Sequence, residues 1–486
     1  MESQSPQPKP SRAAQACIPC RARKVRCNGK QPCQGCSHTG IACNFIPRDS
    51  TSRSRARSKR GGILKTLRPE QSGPRGARPL ASLAVQPQTS PPGGTAEIPS
   101  IDIEFLGNML QDYLDSVYIV CPVLGKQAIV EAINGFGSSA DHRALCYAYA
   151  AVTTALGPSS NPQKRPEVIA HMITLALRAR PAIGHPRQIT LGRVVFAVFL
   201  RITFGVLQDQ DMDFFYLRES ITMLQVMRPE SSEIVQDPAA EQRAWQRLHW
   251  VVYIQERVAC ICHERTAILD PCPAEWGFWD EALPLHIRQS FERMIALYRL
   301  VDDTFLRNWR EKQDGTSLTL EWVTERQKAL ALQQELVEEL CDSVTELQKT
   351  DLVLTCQWLR TIVWQMAGSK YMLHSDASQD YMLLLFPVQG CVYVGKVLRK
   401  TSRESLNQQG GGNLQKLFEI TNTAADVLSL LAKHPHKRDI FDWIDNCCFL
   451  IRWLQEFTQL HSTQRRILQE KLEGLELLTA DLEKIA

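Results

Sequence analysis

Cys17-Ile-Pro-Cys-Arg-Ala-Arg-Lys-Val-Arg-Cys27 places three thiols and four cations within eleven residues. Read outward, it is the first half of a repeat, Cys17-x2-Cys20-x6-Cys27-x5-Cys33-x2-Cys36-x6-Cys43, joined by Asn28-Gly-Lys-Gln-Pro32. A C-x2-C pair at a helix start turns two sulfurs toward one point, and the third cysteine returns from the helix end. Each half therefore offers three thiolates, whereas zinc takes four ligands in a tetrahedron. Two zinc ions need eight ligand positions, and six cysteines fill them only if two sulfurs bridge. The pseudo-twofold repeat makes the equivalent first cysteines, Cys17 and Cys33, the natural bridges. One Zn2+ would take Cys17, Cys20, Cys27 and Cys33, and the other Cys33, Cys36, Cys43 and Cys17.

Six thiolates around two Zn2+ leave a charge near −2, which neighbouring Arg and Lys stabilise while the metal lowers the thiol pKa values. So short a segment has no apolar core. Zinc would supply most of its folding free energy, ~10 kcal/mol or more per structural site. A six-thiol disulfide knot, or one four-thiolate site with two spare cysteines, fits the doubled spacing less well. The N-terminal MESQSPQPKPSRAAQA also has no apolar stretch of the kind an export signal needs, so reduced thiols are expected.

The repeat conserves its thiols but not what lies between them. Cys20 and Cys27 enclose Arg-Ala-Arg-Lys-Val-Arg, while Cys36 and Cys43 enclose Ser-His-Thr-Gly-Ile-Ala. The first helix is thus the one equipped to meet phosphates and guanine O6/N7 in a major groove. Charge along the whole chain agrees. Residues 1–80 hold 17 Lys/Arg against 3 Asp/Glu, leaving 39 bases and 49 acids of the 56 and 52 in the chain to the remainder. A basic head on an acidic body points to a polyanion partner for the head alone.

Cys17–Cys43 resembles the fungal Zn2Cys6 binuclear cluster, falling within that family's C-x2-C-x6-C-x5–12-C-x2-C-x6–8-C pattern at every interval. The resemblance implies sequence-specific binding to double-stranded DNA sites built from CGG triplets. Two consecutive basic residues make the family's base contacts, and they fall here on Arg23 and Lys24. Many members carry lysine at both; the arginine fork at Arg23 suits guanine equally. Arg21, Arg26 and Lys30 are expected on phosphates, setting register without reading sequence. Pro32 stands where the family keeps a loop proline.

Pro47 to Ser100 is rich in Ser, Pro, Gly and Arg, without apolar periodicity, and reads as a disordered tether. Its run Arg53-Ser-Arg-Ala-Arg-Ser-Lys-Arg60 is suited to flanking phosphate contacts or nuclear import. Lys59-Arg-Gly-Gly-Ile-Leu-Lys-Thr-Leu67 is similar to a segment that follows the cluster in regulators of amylolytic genes. No heptad series follows Cys43. Val323, Leu330, Val337 and Val344 have heptad spacing, but Arg326 and Gln333 interrupt the companion positions, and a core helix is the better reading. Monomer and homodimer both remain open.

From Ile101 the pattern is helical. Phe105, Met109, Tyr113 and Val117 fall four apart beside Leu106, Leu110 and Leu114. Ala140–Leu156 stops at Gly157-Pro158, Pro166–Arg180 stops at Pro181, and Leu191–Leu207, interrupted by Arg193 and Arg201, reads as a buried helix and not a membrane span. The fold expected is mainly α: a disordered tail (1–16), a small Zn2Cys6 DNA-binding domain (17–43), a disordered basic linker (44–100) and a large all-α regulatory domain (101–486). Blocks at Phe215–Thr222, Arg247–Arg257, His263–Leu269 and Leu347–Arg360 resemble the fungal-specific regulatory domain found downstream of such clusters. Glu256, Arg257 and Arg265 read as satisfied interior charges before a ligand pocket. Cys260, Cys262 and the pair Cys447-Cys448 read as free core thiols.

No G-x-x-x-x-G-K-[ST], H-E-x-x-H or G-x-S-x-G is present, so no catalytic residues are assigned. The functional expectation is a nuclear RNA polymerase II transcription factor, an activator before a repressor or architectural DNA binder. Coactivators or the transcription machinery are its further partners. Chain length favours a regulator of a secondary-metabolite gene cluster, and the kinship with amylolytic regulators favours carbohydrate utilisation, of the starch or maltose type, as the alternative.

Overall fold

The structure, a computed structural model, describes Cys17, Cys20, Cys27, Asn28, residues 30–39 and Cys43 of the N-terminal region. Beyond it are described residues 100–158, 164–227, 238–273, 280–311, 317–340, 343–370, 372–373, 383–402, 411–431 and 439–485. The tail 1–16 and, apart from Ser100, the linker 44–100 lie outside these residues. The chain divides into two compact units, Met1–Gly62 and Ile63–Ala486.

Within the first unit, α1 (Gln34–Thr39) carries Cys36. The second unit is built from helices, with no strand element among the described residues. It opens with α2 (Ile103–Asn108), whose N-terminus is capped by the Asp102 carboxylate accepting from the Phe105 N–H. The single helix expected here is interrupted at Met109, continues as α3 (Leu110–Tyr113) and widens into a π turn, Leu114–Tyr118. A strict spacing of four exceeds the 3.6 residues of an α-helical turn, so a regular helix would rotate Val117 off the core. The wider turn keeps Met109, Tyr113 and Val117 buried together. Tyr113 then packs edge-on against Tyr149 and Phe199.

After α4 (Lys126–Asn134), helices α5 (Ala140–Leu156), α6 (Pro166–Ala179), α7 (Leu191–Val206) and α8 (Gln210–Val226) pack in sequence, α5 against both α6 and α7, and α7 against α8. The buried Ala148, Ala150, Ala151 and Ala155 of α5 present little bulk to these neighbours. Helix ends fall where punctuation placed them. Gly157 caps α5, and α6 stops one residue before the expected Arg180, which is extended (ψ 119). A following proline disfavours helical backbone at the residue before it, here Arg180 before Pro181. The two arginines that interrupt α7 are both paired, Arg193 with Asp141 and Arg201 with Asp213, each at 2.7 Å.

The long α9 (Pro238–His263) touches α7 and α8 on one side and α10 (Leu285–Arg299) and α11 (Asp303–Arg310) on the other. Then come α12 (Leu320–Glu339), α13 (Glu346–Ser369), α14 (Phe386–Leu398), α15 (Gly411–Leu431), α16 (Ile440–Gln455) and α17 (Ser462–Ile485). Helix α13 is their centre, packed by α10, α12, α14 and α15. It begins with a capping box between Thr345 and Gln348 and buries Trp358 completely. The heptad positions Val323, Leu330 and Val337 are buried inside this unit, as a core helix requires. Among the described residues no helix is long and apolar enough to cross a membrane.

Candidate metal centre and nucleic-acid interface

The N-terminal unit is organised by sulfur. Cys17, Cys20, Cys33 and Cys36 are buried, and their Sγ atoms all lie within 4.8 Å of one another. Cys17 stands 3.5 Å from Cys33 and 3.6 Å from Cys36, and Cys20 stands 3.4 Å from Cys33. Zn–S bonds of about 2.3 Å in a tetrahedron put neighbouring sulfurs ~3.8 Å apart, so these separations suit thiolates sharing small metal ions. Cys27 and Cys43 pack against the four.

The repeat read in the sequence reappears as matching hydrogen bonds. The Cys17 N–H points to the Cys27 sulfur at 3.5 Å, and the Cys33 N–H to the Cys43 sulfur at 3.1 Å. Ionisation follows the same symmetry. Burial resists ionisation of Cys33, but the Cys36 N–H and the thiols of Cys20, Cys36 and Cys17 outweigh it and bring Cys33 down to about 6. Burial, and the Cys33 thiol, likewise oppose ionisation of Cys17, whose thiol is nevertheless lowered by the Cys20 N–H and the thiols of Cys20 and Cys36. The Cys33 thiol, then burial, pushes Cys20 up to about 12.

The loop between the halves is braced at both ends. Asn28 Oδ1 accepts from the backbone N–H of Lys30 (3.4 Å) and from that of Gln34 (3.3 Å), the first residue of α1. Gln31 Nε2 donates to the Cys43 carbonyl at 3.3 Å. Lys30 is exposed between these ties. Neither bracing residue was singled out in the sequence, although Asn commonly accepts nearby backbone N–H groups in turns. Arg21, Arg23, Lys24 and Arg26, the other residues expected to meet DNA, lie outside the described residues.

In the helical unit, Glu256 and Arg257 form an interior network. Glu256 accepts from Arg257 (3.0 Å), Arg218 (3.2 Å) and the backbone N–H groups of Ile268 (2.8 Å) and Leu269 (3.1 Å). Arg257 donates to the Leu269 carbonyl at 2.9 Å and lies over the Tyr253 ring. The group fastens the chain after α9 back onto α8 and α9. Arg265 stands apart, over Phe214 at 4.1 Å, beside a notch of about 10 Å3 that it lines with Asp213 and His263. Such a volume holds roughly one water molecule at most. Cys260 and Cys448 are buried thiols that burial raises to about 12 and about 11. Cys17, Cys20, Cys33 and Cys36 are the one group with metal-site geometry among the described residues.

Comparison with known proteins agrees with this chemistry. Residues 15–53 match the fungal Zn(2)-Cys(6) binuclear cluster domain. The chain is similar to the Probable sucrose utilization protein SUC1 of Candida albicans, 22% identical over 421 residues that cover 85% of this chain and 79% of that protein. It is also similar to the Maltose fermentation regulatory protein MAL13 of Saccharomyces cerevisiae, 31% identical over 116 residues, 23% of this chain and 21% of that one. A shorter stretch of 38 residues, 8% of this chain and 7% of the relative, is 50% identical to Protein RDR1 of the same yeast. A buried sulfur cluster that matches this domain, in one chain with a large helical unit, supports a fungal Zn2Cys6 transcription factor, with zinc binding, DNA binding and regulation of transcription.

Proposed function

We propose that this chain acts in the nucleus as an activator of carbohydrate-utilisation genes, reading CGG-type triplets in duplex DNA. The observation that carries the regulon is the similarity extending over 85% of the chain to a protein described by sucrose utilization. The shorter similarity to a maltose fermentation regulator points the same way. No comparable observation favours secondary-metabolite genes, the reading that chain length first preferred.

In this reading Cys17, Cys20, Cys27, Cys33, Cys36 and Cys43 hold two zinc ions, with Cys17 and Cys33 bridging. The short Cys17–Cys33 separation of 3.5 Å supports the bridge. The zinc is structural, because sulfur fills every coordination position and leaves none for water or substrate. Arg23 and Lys24 read base edges, while Arg21, Arg26 and Lys30 hold phosphates. The helical unit is left to meet coactivators or a second copy of the chain. Genome-wide mapping of bound sites, combined with growth of a deletion strain on sucrose and on maltose, tests the proposal. CGG-type sites upstream of sugar-uptake and glycosidase genes, with lost growth on either sugar, are expected. Bound sites confined to a biosynthetic gene cluster, with normal growth on both sugars, overturn the regulon.

A further inference from the structure

We infer that Asn28 is a positioning residue for DNA binding, holding Lys30 at the phosphate backbone through its side-chain amide. The inference rests on the proposed role of Lys30 as a phosphate contact. One oxygen, Asn28 Oδ1, accepts two backbone N–H groups six residues apart in the chain, those of Lys30 and Gln34. It therefore joins the residue that follows Cys27 both to the middle of the loop and to the start of α1, which carries Cys36.

Among its described residues the loop has no buried apolar anchor, since Asn28, Lys30, Gln31 and Pro32 are all exposed. Its shape must come from hydrogen bonds and from the cysteines at either end. Gln31 ties the other side to the Cys43 carbonyl. A lysine on such a loop pays for phosphate contact with the freedom of its backbone as well as its side chain. Fixing the Lys30 N–H removes the backbone part of that loss before DNA arrives. These bonds involve none of the sulfurs, so the effect of Asn28 should appear in phosphate binding while the metal stays in place.

The test uses the full, zinc-loaded chain and two duplexes, one carrying CGG triplets and one scrambled. Zinc content and the salt dependence of the dissociation constant are measured for the parent, Lys30→Ala, Asn28→Ala and Asn28→Ser. Each phosphate contact contributes about −0.9 to the slope of log K against log salt. Lys30→Ala should flatten the slope by about one on both duplexes. Asn28→Ala should retain two zinc ions per chain and show a flattening in the same direction. Asn28→Ser, whose hydroxyl can accept an N–H in such a turn without adding charge, should bring the slope back toward the parent's. A normal slope in Lys30→Ala refutes the lysine's phosphate contact and with it the premise. A flattened slope in Lys30→Ala with an unchanged slope in Asn28→Ala overturns the inference about Asn28 alone. Loss of zinc in Asn28→Ala, or a slope in Asn28→Ser no steeper than in Asn28→Ala, overturns it as well.

Discussion

The sulfurs of Cys17 and Cys33, sixteen residues apart in the chain, lie 3.5 Å from each other. Each also lies near a terminal cysteine of the other half, Cys17 to Cys36 at 3.6 Å and Cys33 to Cys20 at 3.4 Å. If the two are bridges, they cannot be replaced one metal at a time. Cys33→Ala should lose both zinc ions, because each site would fall to three thiolates at once. Cys20→Ala should damage its own site first. Zinc measured by mass spectrometry under native conditions decides the matter, and one ion fully retained in Cys33→Ala contradicts the bridge. Since structural zinc contributes ~10 kcal/mol or more of apparent binding free energy, chelation should abolish DNA binding. The far-UV helical signal of the second unit, which holds its own core, should persist.

Lys24 is the sharper probe of recognition. If its ammonium meets guanine O6/N7, Lys24→Ala should cost about 1–3 kcal/mol at a CGG triplet and blunt the preference for that triplet over single-base variants. Titrations against a set of substituted duplexes measure this. Equal weakening on every duplex means that Lys24 touches phosphate only.

Glu256 gathers four donors on one buried carboxylate. Truncation to alanine removes the carboxylate partner of two guanidinium groups and the acceptor of two backbone N–H groups. Removing one partner of a buried charged pair costs about 3–5 kcal/mol. Glu256→Ala should therefore lower the urea midpoint of the helical unit strongly, whereas Glu256→Gln, which keeps one acceptor oxygen, should lower it less. Equal stability in both variants and the parent excludes the fastening role.

How far these features were legible depended on the range of the interaction. The sulfur cluster of Cys17, Cys20, Cys33 and Cys36 was legible because metal chemistry dictates both residue type and spacing over a short stretch of chain. Helix ends at Gly157 and Pro166 were legible because their causes are local. The break at Met109 and the π turn after Tyr113 were not. They show only once Met109, Tyr113 and Val117 are buried together and Tyr113 meets Tyr149 and Phe199, far along the chain. The partners of Glu256 and Arg193 were hidden for the same reason, since Arg193 meets Asp141 from 52 residues away. Asn28 was local but unmarked, because an asparagine in a loop has many possible hydrogen bonds and only the folded backbone selects two.

His249 makes stability depend on pH in a direction that can be worked out. Burial lowers its pKa, against the opposing pull of the Asp270 carbonyl, which lies 2.7 Å from Nε2. In the folded chain the ring is held neutral, with Nε2–H donating to that carbonyl. In the unfolded chain it takes up a proton near its ordinary value of about 6.5. The unfolded state then binds more protons than the folded state throughout the window between the lowered value and about 6.5. Stability should rise with pH across that window and fall as the solution is acidified through it. His249→Gln, which keeps an N–H donor but cannot titrate, should flatten this part of the profile. Urea unfolding of parent and variant at pH 7.5 and 5.5 isolates the contribution of His249 from those of other groups. A difference between the two chains that stays constant with pH excludes His249 as its source.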